Sequence, residues 1–79
     1  MITFDIRLSS VDAVRRFVSI TSASEADVDL ERGNYLVDAK SIMGIFSLDL
    51  SVPVTVLIHD DGAPTAAAAL AKALTDFRV

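Results

Sequence analysis

Three stretches of this chain alternate apolar and polar residues with a period of two, and that pattern restricts its fold more than any other feature. Ile2, Phe4, Ile6 and Leu8 alternate with Thr3, Asp5 and Arg7. Val28 and Leu30 alternate with Asp27, Asp29 and Glu31, and Val54, Val56 and Ile58 repeat the spacing. Successive side chains of a strand point to opposite faces, so each stretch reads as a strand with one buried and one wet side. Tyr35–Asp38 adds a fourth strand, returning through a turn at Gly33 and Asn34 to make a hairpin. Strands that are wet on one side can be covered only on the other. An antiparallel sheet with helices on one face is the packing that satisfies this.

The remaining segments supply those helices. Ser9 followed by Asp12 matches a capping-box variant and opens a helix toward Ser22. On it Val11, Val14, Phe17, Val18 and Thr21 share one stripe, with Arg15, Arg16 and Ser19 largely off it. Ser41 precedes the apolar run IMGIFSL as a helix N-cap does, giving a helix over residues 41–48. Pro53 ends that element and introduces the strand at 54–59. Pro64 suits the first turn of a last, alanine-rich helix running to about Phe77, with Leu70, Ala71, Leu74 and Phe77 as its buried stripe. The order is βαββαβα, of class α+β. Residues 1–79 form one domain, because so short a chain cannot fill a second core.

Composition excludes several function classes. The 52% of hydrophobic residues is more than a small core can absorb, which points to an apolar face for a partner. A net charge of −4, with acidic residues crowded at 25–31, opposes nucleic acid and anionic membranes. Cysteine is absent, ruling out disulfides and thiolate metal sites. The start, MITFDIRL, has no basic region ahead of an apolar run, and no stretch approaches the roughly 20 apolar residues of a membrane span. A soluble, cytoplasmic protein is expected. Asp60 and Asp61 pair in a turn without further ligands, and no nucleophile–base pair or phosphate-cradling loop is present. No catalytic residue, metal or cofactor is therefore expected, and the chain does not read as an enzyme.

The stretch VDAKSIMGIFSLDL, with this element order, resembles HPr, the histidine-containing phosphocarrier of the sugar phosphotransferase system. Lys40, Ser41, Ile42, Met43, Gly44, Ser47 and Leu48 match the family's regulatory-serine helix residue for residue. The resemblance extends without gaps forward to Gly62 and backward to about Asp27. It implies a four-stranded antiparallel sheet of order 1-4-2-3 with three helices on one face, an HPr-like open-faced sandwich. The strand order comes from the resemblance, whereas the layering follows from the periodicity as well.

Carriers of this family hold phosphate on a histidine just before the first helix, in a motif like GLHARPA. Here the region reads LSSVDAV. Counting back without gaps from Ser41 places Ser10 at the histidine position and Asp12 at the arginine position, with a shortened loop. A serine phosphate is a stable ester that does not pass its group onward as phosphohistidine does, and Asp12 opposes a bound phosphate. Capping of the first helix accounts for Ser9, Ser10 and Asp12 without any phosphoryl chemistry. The only histidine, His59, falls by strand parity on the solvent side of the last strand.

The resemblance also implies a regulatory phosphorylation site at Ser41, compatible with its capping role. A phosphate at a helix start is favoured by free amides. On the same helix Ile45 and Leu48 point inward, while Ile42 and Phe46, close to Met43, share another stripe. In the family these positions form an exposed patch that docks enzyme I, a serine kinase and a transcriptional regulator. The alternative is that Phe46 folds back into the core. Asp49 stands where the family usually has glycine, so the helix end should differ. The leading expectation is a regulatory or adaptor protein binding other proteins through Ile42, Met43 and Phe46. An atypical phosphocarrier and an association module unrelated to sugar transport are the alternatives, the protein being a monomer or weak homodimer.

Overall fold

Strand parity organises the computed structural model, which describes residues 1–79. In β4 (Val54–His59), Val54, Val56 and Ile58 are buried, and Thr55, Leu57 and His59 lie half-buried on the other side. β1 (Ile2–Ile6) and β2 (Asp27–Arg32) flank it, both antiparallel, with Phe4 opposite Val56 and Leu30 opposite Val56 on its other side. β3 (Tyr35–Asp38) pairs with β2 and closes the order β1-β4-β2-β3. The hairpin turn uses Gly33 at φ +58°, and no other residue has positive φ, which is the pattern of a type II′ turn with glycine at its first central position. The fold is α+β: this antiparallel sheet carries three helices on one face, as the periodicity required.

The helices depart from the sequence reading in detail. α1 spans Val11–Ser22, but its N-cap is Ser10 and not Ser9: Ser10 Oγ accepts from Ala13 N at 3.0 Å. The stripe of α1 buries Val14, Phe17 and Thr21 and half-buries Val18, yet Val11 is 54% exposed. At the first position of the helix, Val11 has passed the end of the core. α2 is shorter than the expected 41–48, covering Ile42–Phe46. Its last amides bond three residues back, Ser47 N to Gly44 O and Leu48 N to Ile45 O, so the helix tightens and stops. α3 spans Pro64–Ala73, and a 3₁₀ turn at Thr75–Phe77 replaces the expected continuation. That turn still delivers Leu74 and Phe77 to the core. Ala67 is buried on α3, where the expected Ala71 is only half-buried.

The core is one cluster between sheet and helices. Ile6, Phe17, Leu30, Ile45, Ile58 and Leu74 are wholly enclosed, and burial of each such side chain is worth about 1.5–3 kcal/mol. Phe17 and Phe77 meet edge to face, with centroids 5.8 Å apart. No helix is long and apolar enough to cross a membrane.

Candidate functional site

Ser41 is held by the chain on both sides of it. Upstream, β3 ends in a turn where Asp38 Oδ1 accepts from Lys40 N at 2.9 Å and Asp38 O accepts from Ser41 N at 3.0 Å. This turn is fastened to the far end of α1. The hydroxyl of Thr21, wholly buried, donates to Ala39 O at 2.8 Å, and Lys40 Nζ donates to Ser24 O at 2.9 Å. Downstream, Ser41 is the N-cap expected from the sequence: its backbone is extended, and its Oγ accepts from Gly44 N at 3.1 Å. The side chain is half-buried. Gly44 allows this closeness, since a Cβ there would lie 3.3 Å from Ser41 Oγ and 3.4 Å from Val37 Cβ. Replacing Ser41 with Ala removes one capping bond and should lower stability by about 1 kcal/mol, with Ser10→Ala giving a similar loss. Urea titrations of both variants measure this. A variant as stable as wild type would show that its cap is idle.

The apolar residues over 42–48 divide as the sequence indicated except at Ile42, which was expected on the exposed stripe with Phe46 and instead packs partly on the core. Ile45 and Leu48 are buried, Ile42 is half-buried against the core, Met43 is 78% exposed and Phe46 is 44% exposed. Phe46 therefore does not fold back into the core. It lines a cleft of about 330 Å³ with Leu8, Ser9, Ser10, Val11, Val14, Leu50 and Ser51. The fold thus brings Ser10 and Phe46 to one cleft, while Ser41 and Met43 lie outside its lining. Val11 is the residue that sequence reasoning missed: its place on the apolar stripe implied burial, and only its first-turn position hinted otherwise.

Beyond α2 the chain avoids the left-handed conformation. Ser47 caps the helix at φ −78°, and Asp49, the residue at the glycine position, has no positive φ. Its carboxylate instead accepts from Ser51 Oγ at 2.6 Å and Ser51 N at 3.0 Å. The side-chain hydrogen bond first, then the backbone one, hold the Asp49 carboxyl below the usual range.

His59 lies elsewhere. It is on the open face of the sheet, with Nε2 2.9 Å from Asp29 Oδ2. The adjacent Asp60 is engaged by the Met1 ammonium group at 2.9 Å. The β1–β4 register sets Ile2 against Ile58 and Ile6 against Val54. The five residues from His59 to Val54 therefore put His59 at least about 17 Å along the strands from the end of β1 that leads to Ser10, and on the opposite side of the sheet.

Comparison with known proteins bears on the family and the fold. The chain is similar to an HPr from Thermoanaerobacter tengcongensis (28% identity, TM-score 0.74, covering 96% of this chain and 93% of that one). It is also similar to the phosphocarrier protein HPr from Bacillus anthracis str. Ames (28% identity, TM-score 0.65, covering 90% and 93%). A search of curated proteins finds no match. The family profile PTS-HPr, described as "PTS HPr component phosphorylation site", matches residues 11–77. That match starts one residue after Ser10 and takes in every helix and all strands but β1, so the chain belongs to the PTS-HPr family and has the HPr-like phosphocarrier fold.

Proposed function

We propose that this chain is a regulatory or adaptor member of the HPr family, which docks other proteins through Ile42, Met43 and Phe46 and is phosphorylated on Ser41 instead of carrying phosphohistidine. The observation that carries this reading is at the head of α1. Ser10, which the resemblance sets at the position of the carrier histidine, offers a hydroxyl in place of an imidazole, and Asp12 puts a carboxylate in the first turn. A phosphoryl group arriving there would meet a negative charge and a residue whose ester does not transfer onward. His59 offers no substitute, being across the sheet and paired with Asp29. Met43 and Phe46, by contrast, are exposed in the manner of anchors for a protein partner. A phosphate on Ser41 would lie against the first amides of α2, so the fold accommodates the added charge. Partners of this chemistry are phosphotransferase-system enzymes, a serine kinase or a transcriptional regulator, met in the cytoplasm.

Incubation with phosphoenolpyruvate and enzyme I should leave no acid-labile phosphate on the protein. Labelling under those conditions would sink the reading in favour of an atypical carrier. A second incubation, with the HPr serine kinase and ATP, should label wild type and not Ser41→Ala; an unlabelled wild type removes the phosphorylation half of the proposal.

A further inference from the structure

Apart from Met1 and Val79 at the chain ends, the exposed large apolar residues that belong neither to α2 nor to the cleft beside it are Tyr35, 68% exposed, and Leu36, 59% exposed. Both belong to β3, which is the outermost strand. The opposite edge of the sheet is partly covered, because Arg7 N donates to Phe77 O at 2.9 Å and Val79 N to Asp5 O at 3.2 Å along the outer side of β1. Nothing covers β3 in this way. Ala39 N donates to Val28 O at 3.0 Å, which fixes the parity of the β2–β3 ladder: residues 35, 37 and 39 bond inward to β2. The N–H and C=O of Leu36 and the N–H of Asp38 consequently point outward, away from the sheet. Edges are protected by shortness, charge, proline or a bulge, and β3 has the first two only in part, being four residues long with Asp38 at its end. Here the centre of the outward row is a leucine.

We infer that β3 is a self-association edge, which pairs antiparallel with β3 of a second copy about a two-fold axis through Leu36. The register follows from side-chain chemistry. Centring on Leu36 sets the two Leu36 side chains together on the open face, Tyr35 against Val37 of the second copy on the helix face, and Asn34 against Asp38. Aromatic with β-branched, leucine with leucine and amide with carboxylate are all favourable cross-strand neighbours. Centring on Asp38 would oppose two carboxylates, and centring on Val37 would set each Asp38 against a leucine. The next acidic residue inward on the same face, Glu31, is separated from its counterpart by both β3 strands. The result is one continuous eight-stranded sheet, with the α2 surfaces left for other partners. So short an edge gives an interface at the small, weak end of the range.

Sedimentation equilibrium from about 10 μM to about 1 mM tests this. Wild type should move from monomer to dimer across that range, and the amide resonances of Leu36 and Asp38 should shift with concentration. Leu36→Lys brings two ammonium groups together on the axis and should abolish the dimer without unfolding the monomer, since the side chain is exposed and its amide is outside the β2–β3 ladder. Asn34→Lys, facing Asp38 of the second copy, should tighten the dimer at least about threefold, and Asn34→Asp should weaken it by a similar factor. Only Gly33 in the turn has positive φ, so neither change strains the hairpin. A monomer throughout the range overturns the proposal. So does a dimer indifferent to Leu36→Lys, or one that Phe46→Ser abolishes, which would place the contact on α2.

Discussion

Replacing Phe17 with alanine should remove about 3–5 kcal/mol of stability, the largest single-residue effect expected in this protein. The ring is wholly enclosed on the inner face of α1, and its edge-to-face contact with Phe77 joins α1 to the 3₁₀ turn after α3. Arg16 then covers Phe77, its guanidinium 5.1 Å from the ring centroid. Deleting Phe17 leaves a cavity bounded by sheet and helices that cannot close without moving one of them. Domains of this size have roughly 4–12 kcal/mol in total, so the loss is a large fraction of the whole. In a thermal scan it corresponds to a fall of more than about 12 °C. Phe46→Ala is the matched control. That ring is 44% exposed at the rim of the α1–α2 cleft, so its loss should cost less than about 1.5 kcal/mol. Equal effects at the two positions would contradict both the packing and the assignment of Phe46 to a docking surface.

Thr21→Val should cost about 1–3 kcal/mol although it changes neither shape nor volume appreciably. The hydroxyl has one proton and two carbonyls in reach, Ala39 O at 2.8 Å and Val18 O at 3.2 Å. The shorter bond is buried and joins the last turn of α1 to the residue two before Ser41. Valine leaves the Ala39 carbonyl without that donor, and water cannot reach a site where both residues are wholly enclosed. Thr21→Ser should retain most of the stability. The loosening should appear first in the segment the bond holds, as faster hydrogen exchange at Gly44 N, whose acceptor is Ser41 Oγ. Unchanged exchange there, with stability lost, would show that Thr21 supports the core and not the position of Ser41.

Much of this architecture was legible in the chain because its signals are local. Parity alone placed Phe4, Ile6, Val28, Leu30, Val54, Val56 and Ile58 in the core, since the alternation of a strand admits only two faces. Gly33 marked the hairpin by its backbone freedom, and Ser41 marked the start of α2 by its hydroxyl. The KSIMG run identified the family, and with it came a strand order that periodicity leaves open. The head of α1 reads LSSVDAV, and on that stretch rests the proposal that this protein regulates rather than carries.

The tertiary structure decided where the apolar stripes end. Helical periodicity assigns Val11 and Phe46 to a side of a helix but carries no information on how far the neighbouring layer extends. Both residues lie past the core, and they line one cleft beside Ser10 because α1 and α2 pack against each other. The partner of Thr21 was equally invisible, as a hydroxyl on an apolar stripe can be satisfied by its own helix or by a distant carbonyl. The exposure of Leu36 depends on β3 being outermost, a property of the sheet and not of the strand. Local sequence fixes which side of each element is apolar, through rules that span two to four residues. Which of those apolar groups is then covered, and which is left to meet another protein, is set by contacts between elements remote in the chain.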